Sequence, residues 1–324
     1  MREIKIDRFG TPEVLQLQDA PAPQSAPDEV LVRVAYAGLN PVDAKIRDGS
    51  NRLAEQLELP AVLGREFVGE IVAAGDDVDL IRLGLQVGSR VFGVRPGDDL
   101  RGAYAEMITI DPTAVAPVPA EVTEQDLPAF GGLALAGVTA LSTIEDQAQL
   151  GPQDSVLVHG GSGGVGQLLI PLARAAGCTA VYATGAARNL DRLRELGATP
   201  IAYDEGDWEA EIDRLTDGRG VDVVLDTHYF STFEPSLDHL APGGRVVVLP
   251  TLADVSPAEE RGIPVSITRM RATRERLDRL AAGVVAGELP LEVSIVLPLA
   301  EVARGHEQLA EGHTRGKIVL DVRA

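Results

Sequence analysis

The tightest constraint on this chain is the run Gly161-Ser162-Gly163-Gly164-Val165-Gly166. It stands between an apolar stretch, Ser155-Val156-Leu157-Val158, and a helix-forming one, Gln167-Leu168-Leu169-Ile170. Between a strand and a helix, G-x-G-x-x-G has a physical reading. The first glycine allows the tight turn, the second lets backbone approach a pyrophosphate, and the third lets helix and strand pack closely. The helix then offers N–H groups that lack intrahelical partners, together with the positive end of its dipole, to the phosphates. Gly161, Ser162, Gly163, Gly164, Val165 and Gly166 are therefore the first candidate cofactor-binding residues.

The patterns on either side of the turn differ. Up to about residue 120, short strands near 30–36, 67–75 and 87–93 are punctuated by glycine and proline, as in an antiparallel barrel. An alanine- and leucine-rich helix is expected over 127–148. From residue 153, strands at 155–158, 179–183, 221–225 and 245–249 alternate with helices at 165–176 and 189–196. The last two strands are continuous β-branched runs, which suits a parallel sheet covered on both faces, and right-handed crossovers make that sheet doubly wound. Past residue 271 come a charged helix and strands at 293–297 and 316–320 that look more like the first region. The expected organisation is a barrel-like domain made of 1–120 and 272–324, with a dinucleotide-binding domain, 121–271, inserted into it.

Composition narrows the choice of function. A chain of 324 residues exceeds the usual single core, so two domains are expected. The formal charge is −20 and the only lysines are Lys5, Lys45 and Lys317. Such a surface repels nucleic acid and anionic membranes, so any phosphate site must be a local basic or dipolar feature. No apolar run reaches transmembrane length, and the N-terminal stretch lacks the apolar core of a signal peptide. Cys178 is the one cysteine, which excludes an intrachain disulfide and a multi-cysteine metal site and points to a cytoplasmic location.

Several segments, in order, resemble one family. They are Ala37-Gly38-Leu39-Asn40-Pro41-Val42-Asp43, Leu63-Gly64-Arg65-Glu66-Phe67-Val68-Gly69, Gly102-Ala103-Tyr104-Ala105-Glu106, Ala136-Gly137-Val138-Thr139-Ala140, the glycine run, and Gly316-Lys317-Ile318-Val319-Leu320. The family is the zinc-free quinone-oxidoreductase branch of the medium-chain dehydrogenase/reductase superfamily. The resemblance implies an α/β chain in which a GroES-like β-barrel domain, formed by both chain ends, carries an inserted Rossmann domain. Asn40, Arg65 and Ala136 match the positions where zinc-dependent relatives hold catalytic metal, and none is a good zinc ligand, so no metal is expected. What remains is direct hydride transfer between a nicotinamide and an electrophilic carbon.

The end of the second strand reads Tyr182-Ala183-Thr184-Gly185-Ala186-Ala187-Arg188-Asn189, without the carboxylate that binds an NAD ribose. Thr184 and Arg188 offer a hydroxyl and a guanidinium instead, which suits a 2′-phosphate and hence NADPH. By resemblance, Lys317 meets the same phosphate, Thr139 lies near the nicotinamide, and Asn40 faces nicotinamide and substrate. Thr251 and Leu252, after the fifth strand, are expected to touch the cofactor. Asp43 either caps the helix that follows or orients a neighbour, Arg65-Glu66 reads as a structural ion pair or an enolate stabiliser, and His159 reads as structural. After Asp226 the family has small residues and glycines, whereas this chain has Thr227-His228-Tyr229-Phe230. Tyr229 joins Asn40 as a catalytic candidate, in the role of proton donor.

The expected activity is NADPH-dependent, zinc-independent hydride transfer to a quinone or an α,β-unsaturated carbonyl. The alternatives are a tailoring or enoyl reductase for one specialised conjugated substrate and a non-catalytic NADPH-binding structural or sensor protein. The edge strand at 263–268 suggests a homodimer.

Overall fold

The computed structural model describes residues 1–97, 99–312 and 314–324, and they form two compact units. The first comprises Met1–Leu135, Ala272–Gly287 and Glu292–Ala324, and the second Ala136–Arg271 with Glu288–Leu291. In chain order the strands are β1 (Arg2–Ile6), β2 (Gln16–Asp19), β3 (Val30–Leu39), β4 (Ala61–Val62), β5 (Glu66–Ala74), β6 (Arg90–Val94), β7 (Met107–Ile110), β8 (Val115–Pro117), β9 (Ser155–His159), β10 (Ala180–Gly185), β11 (Thr199–Ala202), β12 (Val221–Asp226), β13 (Leu240–Val248), β14 (Val265–Ile267), β15 (Val293–Pro298) and β16 (Lys317–Asp321).

In the first unit the largest sheet runs β15-β16-β3-β5-β6-β8, with β7 also paired to β3, and a second sheet runs β2-β1-β4. Both chain ends meet in the larger one. β16 lies antiparallel to β3, with Ile318 opposite Leu39 and Asp321 opposite Tyr36. The N-terminal half of β3 alternates as a half-covered strand should: Val30, Val32 and Val34 are buried while Arg33 is exposed. These valines join Ile4, Ile6, Phe67, Ile71, Ile110 and Leu320 in one apolar core. Helix α1 (Pro41–Arg47) follows β3 directly, with Pro41 at its first position, where a missing N–H costs nothing.

The long helix expected over 127–148 is broken into α2 (Leu127–Gly131), α3 (Ala134–Ser142) and a π-helical stretch, Thr143–Ala148. α2 goes with the first unit because Gly131 sits on β3, where an added Cβ would lie 2.7 Å from the Tyr36 Cβ. This contact carries the first unit past residue 120, to Leu135.

The second unit is a six-stranded parallel sheet in the order β11-β10-β9-β12-β13-β14. The chain starts at the centre with β9, winds outward to β11, crosses back to β12 beside β9, and winds outward again to β14. The direction reverses between β9 and β12, and ligands of open α/β sheets bind at the carboxyl ends of strands flanking such a point. All five residues of β9 are buried, as expected of a central strand covered on both faces. Helix α4 (Gly166–Ala175) follows the glycine turn and runs through Pro171.

Candidate functional site

The glycine turn leaves β9 at His159 and enters α4 at Gly166. Gly160 has φ +70°, a conformation that strains other residues. A Cβ on Gly161 would lie 2.8 Å from the Ala183 Cβ, and one on Gly166 would run into the Gly160 carbonyl. The turn is thus packed against β10 on one side and against itself on the other. Ser162, Gly163, Gly164 and Val165 remain half-exposed above it. Backbone bonds hold the shape: Gly161 N–H donates to the Thr184 carbonyl at 2.9 Å, and Gly163 N–H to the Gly160 carbonyl at 3.0 Å. A turn that leaves no room for a Cβ at Gly161 or Gly166 and opens a ten-residue helix fits a pyrophosphate.

A buried polar chain supports this turn from below. His159 is fully buried, with Nδ1 3.1 Å from the Thr184 hydroxyl and Nε2 2.8 Å from that of Ser236. Ser236 donates to the Thr232 carbonyl, so it accepts from His159 Nε2–H, and His159 Nδ1 accepts from Thr184. This pattern needs a neutral imidazole, and burial pushes the His159 pKa down to about 4. The Thr184 oxygen also accepts from Gly160 N–H at 3.2 Å. Thr184 was expected to offer its hydroxyl to a 2′-phosphate. The structure corrects this: the side chain is buried and its hydroxyl is spent on His159 and the glycine turn.

Arg188 is exposed on the turn Ala187–Asn189, just past β10. The sequence holds no carboxylate there, but the fold brings one from the next strand: Asp204, past β11, accepts from Ala187 N–H at 2.7 Å. Burial and this carboxylate raise the Tyr203 hydroxyl above its ordinary range, with Arg188 opposing them. Local sequence could not reveal Asp204, because the contact joins two strand ends.

At the far side of the switch point, Asp226 ends β12 fully buried. Its Oδ1 accepts from the N–H groups of His228 and Tyr229, at 2.9 and 2.8 Å, and its Oδ2 from the Thr232 hydroxyl at 2.7 Å. Tyr229 is held at φ +77°. Its hydroxyl donates to the Asp254 carbonyl at 3.1 Å and accepts from Asp254 N–H at 2.9 Å, and its ring stacks on Phe233 at 5.3 Å. The phenolic proton is therefore committed, and the structure corrects the expectation that Tyr229 is a proton donor: it clasps the loop after β12 to the loop after β13. Thr251 and Leu252 are exposed on that second loop, and Thr139 is half-buried on α3.

In the first unit, Asn40, Glu66 and Lys317 form one buried cluster. Lys317 Nζ donates to Asn40 Oδ1 at 2.6 Å, Glu66 Oε1 at 2.8 Å and the Leu39 carbonyl at 3.1 Å. Asn40 Nδ2 donates to the same Glu66 oxygen at 2.8 Å, and Glu66 Oε2 accepts from Leu135 N–H at the start of α3. Gly38 is required here, because a Cβ would lie 2.5 Å from Glu66 Oε1. All three donors of Lys317 are engaged inside the unit, so the expectation that it meets a 2′-phosphate is corrected as well. Arg65 donates to the carbonyls of Arg95, Pro96 and Asp99.

Asp43 sits one helical turn into α1, fully buried. Its Oδ2 accepts from Asn40 N–H at 2.9 Å and from the Tyr104 hydroxyl at 3.0 Å, while Oδ1 has no hydrogen-bond partner. Burial raises its pKa to about 7 against the opposing effects of Tyr104, Arg65, the Asn40 N–H and Lys317. Among the described residues no cluster of three or more His, Cys, Asp or Glu side chains is placed to hold a metal ion.

Two domain families match this chain: the alcohol dehydrogenase GroES-like domain over residues 26–120 and the zinc-binding dehydrogenase domain over residues 196–320. They define an oxidoreductase built from a GroES-like barrel and a Rossmann domain. The quinone oxidoreductase of Lama guanicoe is 31% identical over 99% of this chain and 97% of its own length. The solved quinone oxidoreductase of Coxiella burnetii superposes with a TM-score of 0.91 at 33% identity, covering 100% of this chain and 99% of that one. The Escherichia coli quinone oxidoreductase, solved in complex with NADPH, gives a TM-score of 0.87 at 26% identity, covering 99% and 100%. The chain belongs to the quinone-oxidoreductase branch of the medium-chain dehydrogenase/reductase superfamily.

Proposed function

We propose that the chain is an NADPH-dependent, zinc-independent reductase that transfers hydride to a quinone or an α,β-unsaturated carbonyl. The observation that carries this reading is the glycine turn, whose backbone closes so tightly that a Cβ at Gly161 or Gly166 would collide, and which opens directly into α4. Gly161 through Gly166 would hold the pyrophosphate, and exposed Arg188 would hold the 2′-phosphate. NADPH, when bound, supplies a hydride from its nicotinamide ring.

The chain's own residues bind and orient. Thr184 and His159 keep the turn in shape from beneath. Asn40 is the group assigned to the acceptor's oxygen, where charge appears after hydride addition. Lys317 and Glu66 fix its amide plane, and beyond the bond to Glu66 its Nδ2 has only a long 3.5 Å contact with the Gly38 carbonyl. A quinol or enol oxygen can take its proton from water, so no buried acid is required. Zinc independence is supported by Arg65: a cation braced by three main-chain carbonyls stands at a position that resemblance matches to a metal ligand. A reducing cytoplasm suits a chain whose single cysteine is buried.

The test is NADPH oxidation by the full chain with quinones and enones, before and after exhaustive dialysis against a chelator. The expected result is acceptor-dependent oxidation at the same rate in both. Activity that disappears on chelation and returns with zinc would contradict the reading.

A further inference from the structure

We propose that Phe230 and Leu252 form an apolar platform, held out from the carboxyl edge of the parallel sheet by the Tyr229–Asp254 clasp, that selects acceptors with a fused-ring face. The inference rests on the reductase reading and names the substrate class of that reaction.

The position comes from topology. The loops carrying Phe230 and Leu252 follow β12 and β13, beyond the switch point between β9 and β12. In a dinucleotide fold each half of the sheet serves one mononucleotide. The first half carries the turn after β9 and Arg188 after β10, so the second half serves the nicotinamide and whatever reacts with it. Thr227, at the start of the β12 loop, donates to the His159 carbonyl at 2.8 Å, which places this loop directly beside the glycine turn.

The exposure is built, not incidental. Phe230 is 75% exposed and Leu252 51%, on two loops that the Tyr229 hydroxyl ties together by both a donated and an accepted bond. Asp226 uses both carboxylate oxygens on three donors within the first of these loops. Phe233 stacks beneath Tyr229, and Phe230 meets the Tyr229 ring edge-on at 5.6 Å. A tyrosine at φ +77° persists only where its surroundings over-determine it, and such positions cluster at ligand clamps. The frame therefore spends strain to present an aromatic side chain to solvent at the ligand edge. Aromatic rings recognise other rings by offset or edge-on contact, so the platform favours an acceptor with a second ring over one without.

The test is calorimetric binding of two quinones to the full chain loaded with NADP+: 2-methyl-1,4-naphthoquinone, with two fused rings, and tetramethyl-1,4-benzoquinone, with one. Phe230→Ser alters an exposed side chain and is expected to weaken the fused-ring quinone about tenfold and the single-ring quinone less than about twofold. Tyr229→Phe, which keeps the stack and loses the clasp, should shift selectivity in the same direction by less. Equal weakening of both quinones, weakening of neither, or weaker NADP+ binding in Phe230→Ser would overturn the proposal. Turnover is measured separately. If the unaltered chain binds both quinones selectively but reduces neither with NADPH, the reductase reading fails while the platform stands.

Discussion

Asp43 keeps a carboxyl group where water cannot reach it, with one oxygen unpartnered, and burial holds its pKa near 7 instead of 3.8. The folded chain therefore binds this proton more tightly than the unfolded chain does. The linkage sign follows: Asp43 lowers stability progressively as pH rises from about 4 to about 7 and by a constant amount above that. His159 and His306 act in the opposite sense. Burial lowers their pKa values to about 4 and about 3, so their contribution is complete above about 6.5 and is lost as pH falls. An Asp43→Asn variant keeps both histidines and so isolates the acid. Thermal unfolding from pH 4 to 8 should show the variant gaining on the unaltered chain as pH rises. Parallel curves would mean that Asp43 ionises at its ordinary pH. The buried Lys317–Glu66 pair is a different case, because removing one partner leaves a buried charge, typically at a cost of about 3–5 kcal/mol.

Among the described residues, β14 forms the outer edge of the parallel sheet and pairs only with β13. Val265, Ser266 and Ile267 are each half-buried on this edge, and the outer side of an edge strand can take up another strand. We propose that two chains pair here, and light scattering should return about twice the 34.2 kDa chain mass. A mass matching one chain across the working concentration range would refute the pairing. At this scale the sequence was most legible. β9 announces itself as an apolar run, β12 and the end of β13 as β-branched ones, and the glycine turn sits between a strand and a helix, because periodicity and turn chemistry are local. The break at Gly132 within the expected long helix was not legible, since it depends on Gly131 meeting Tyr36. The misread side chains share one cause. Thr184 is claimed by His159, Tyr229 by Asp254, and Lys317 by Asn40 and Glu66, partners that lie 25, 25, 277 and 251 residues away in sequence. Spacing and resemblance pick out polar residues but do not show which neighbour has already taken their hydrogen bonds.

For the molecule as a whole, a formal charge of −20 opposes any anionic ligand at long range. Binding a dinucleotide against that field requires short-range donors, and those of the proposed site are the amides of the glycine turn and the first turn of α4, with the Arg188 guanidinium for the extra phosphate. In the proposed reading, preference for NADPH is assigned to Arg188, since the hydroxyl of Thr184 and the ammonium of Lys317 are held by buried partners. The most direct test is calorimetric titration of the full chain, and of its Arg188→Ala variant, with NADPH and with NADH. One or two charge-assisted hydrogen bonds, at roughly 1.5–3 kcal/mol each, predict NADPH binding at least about tenfold tighter than NADH, with the difference lost in the variant. NADH binding as tightly as NADPH, or no binding of either, would contradict the account.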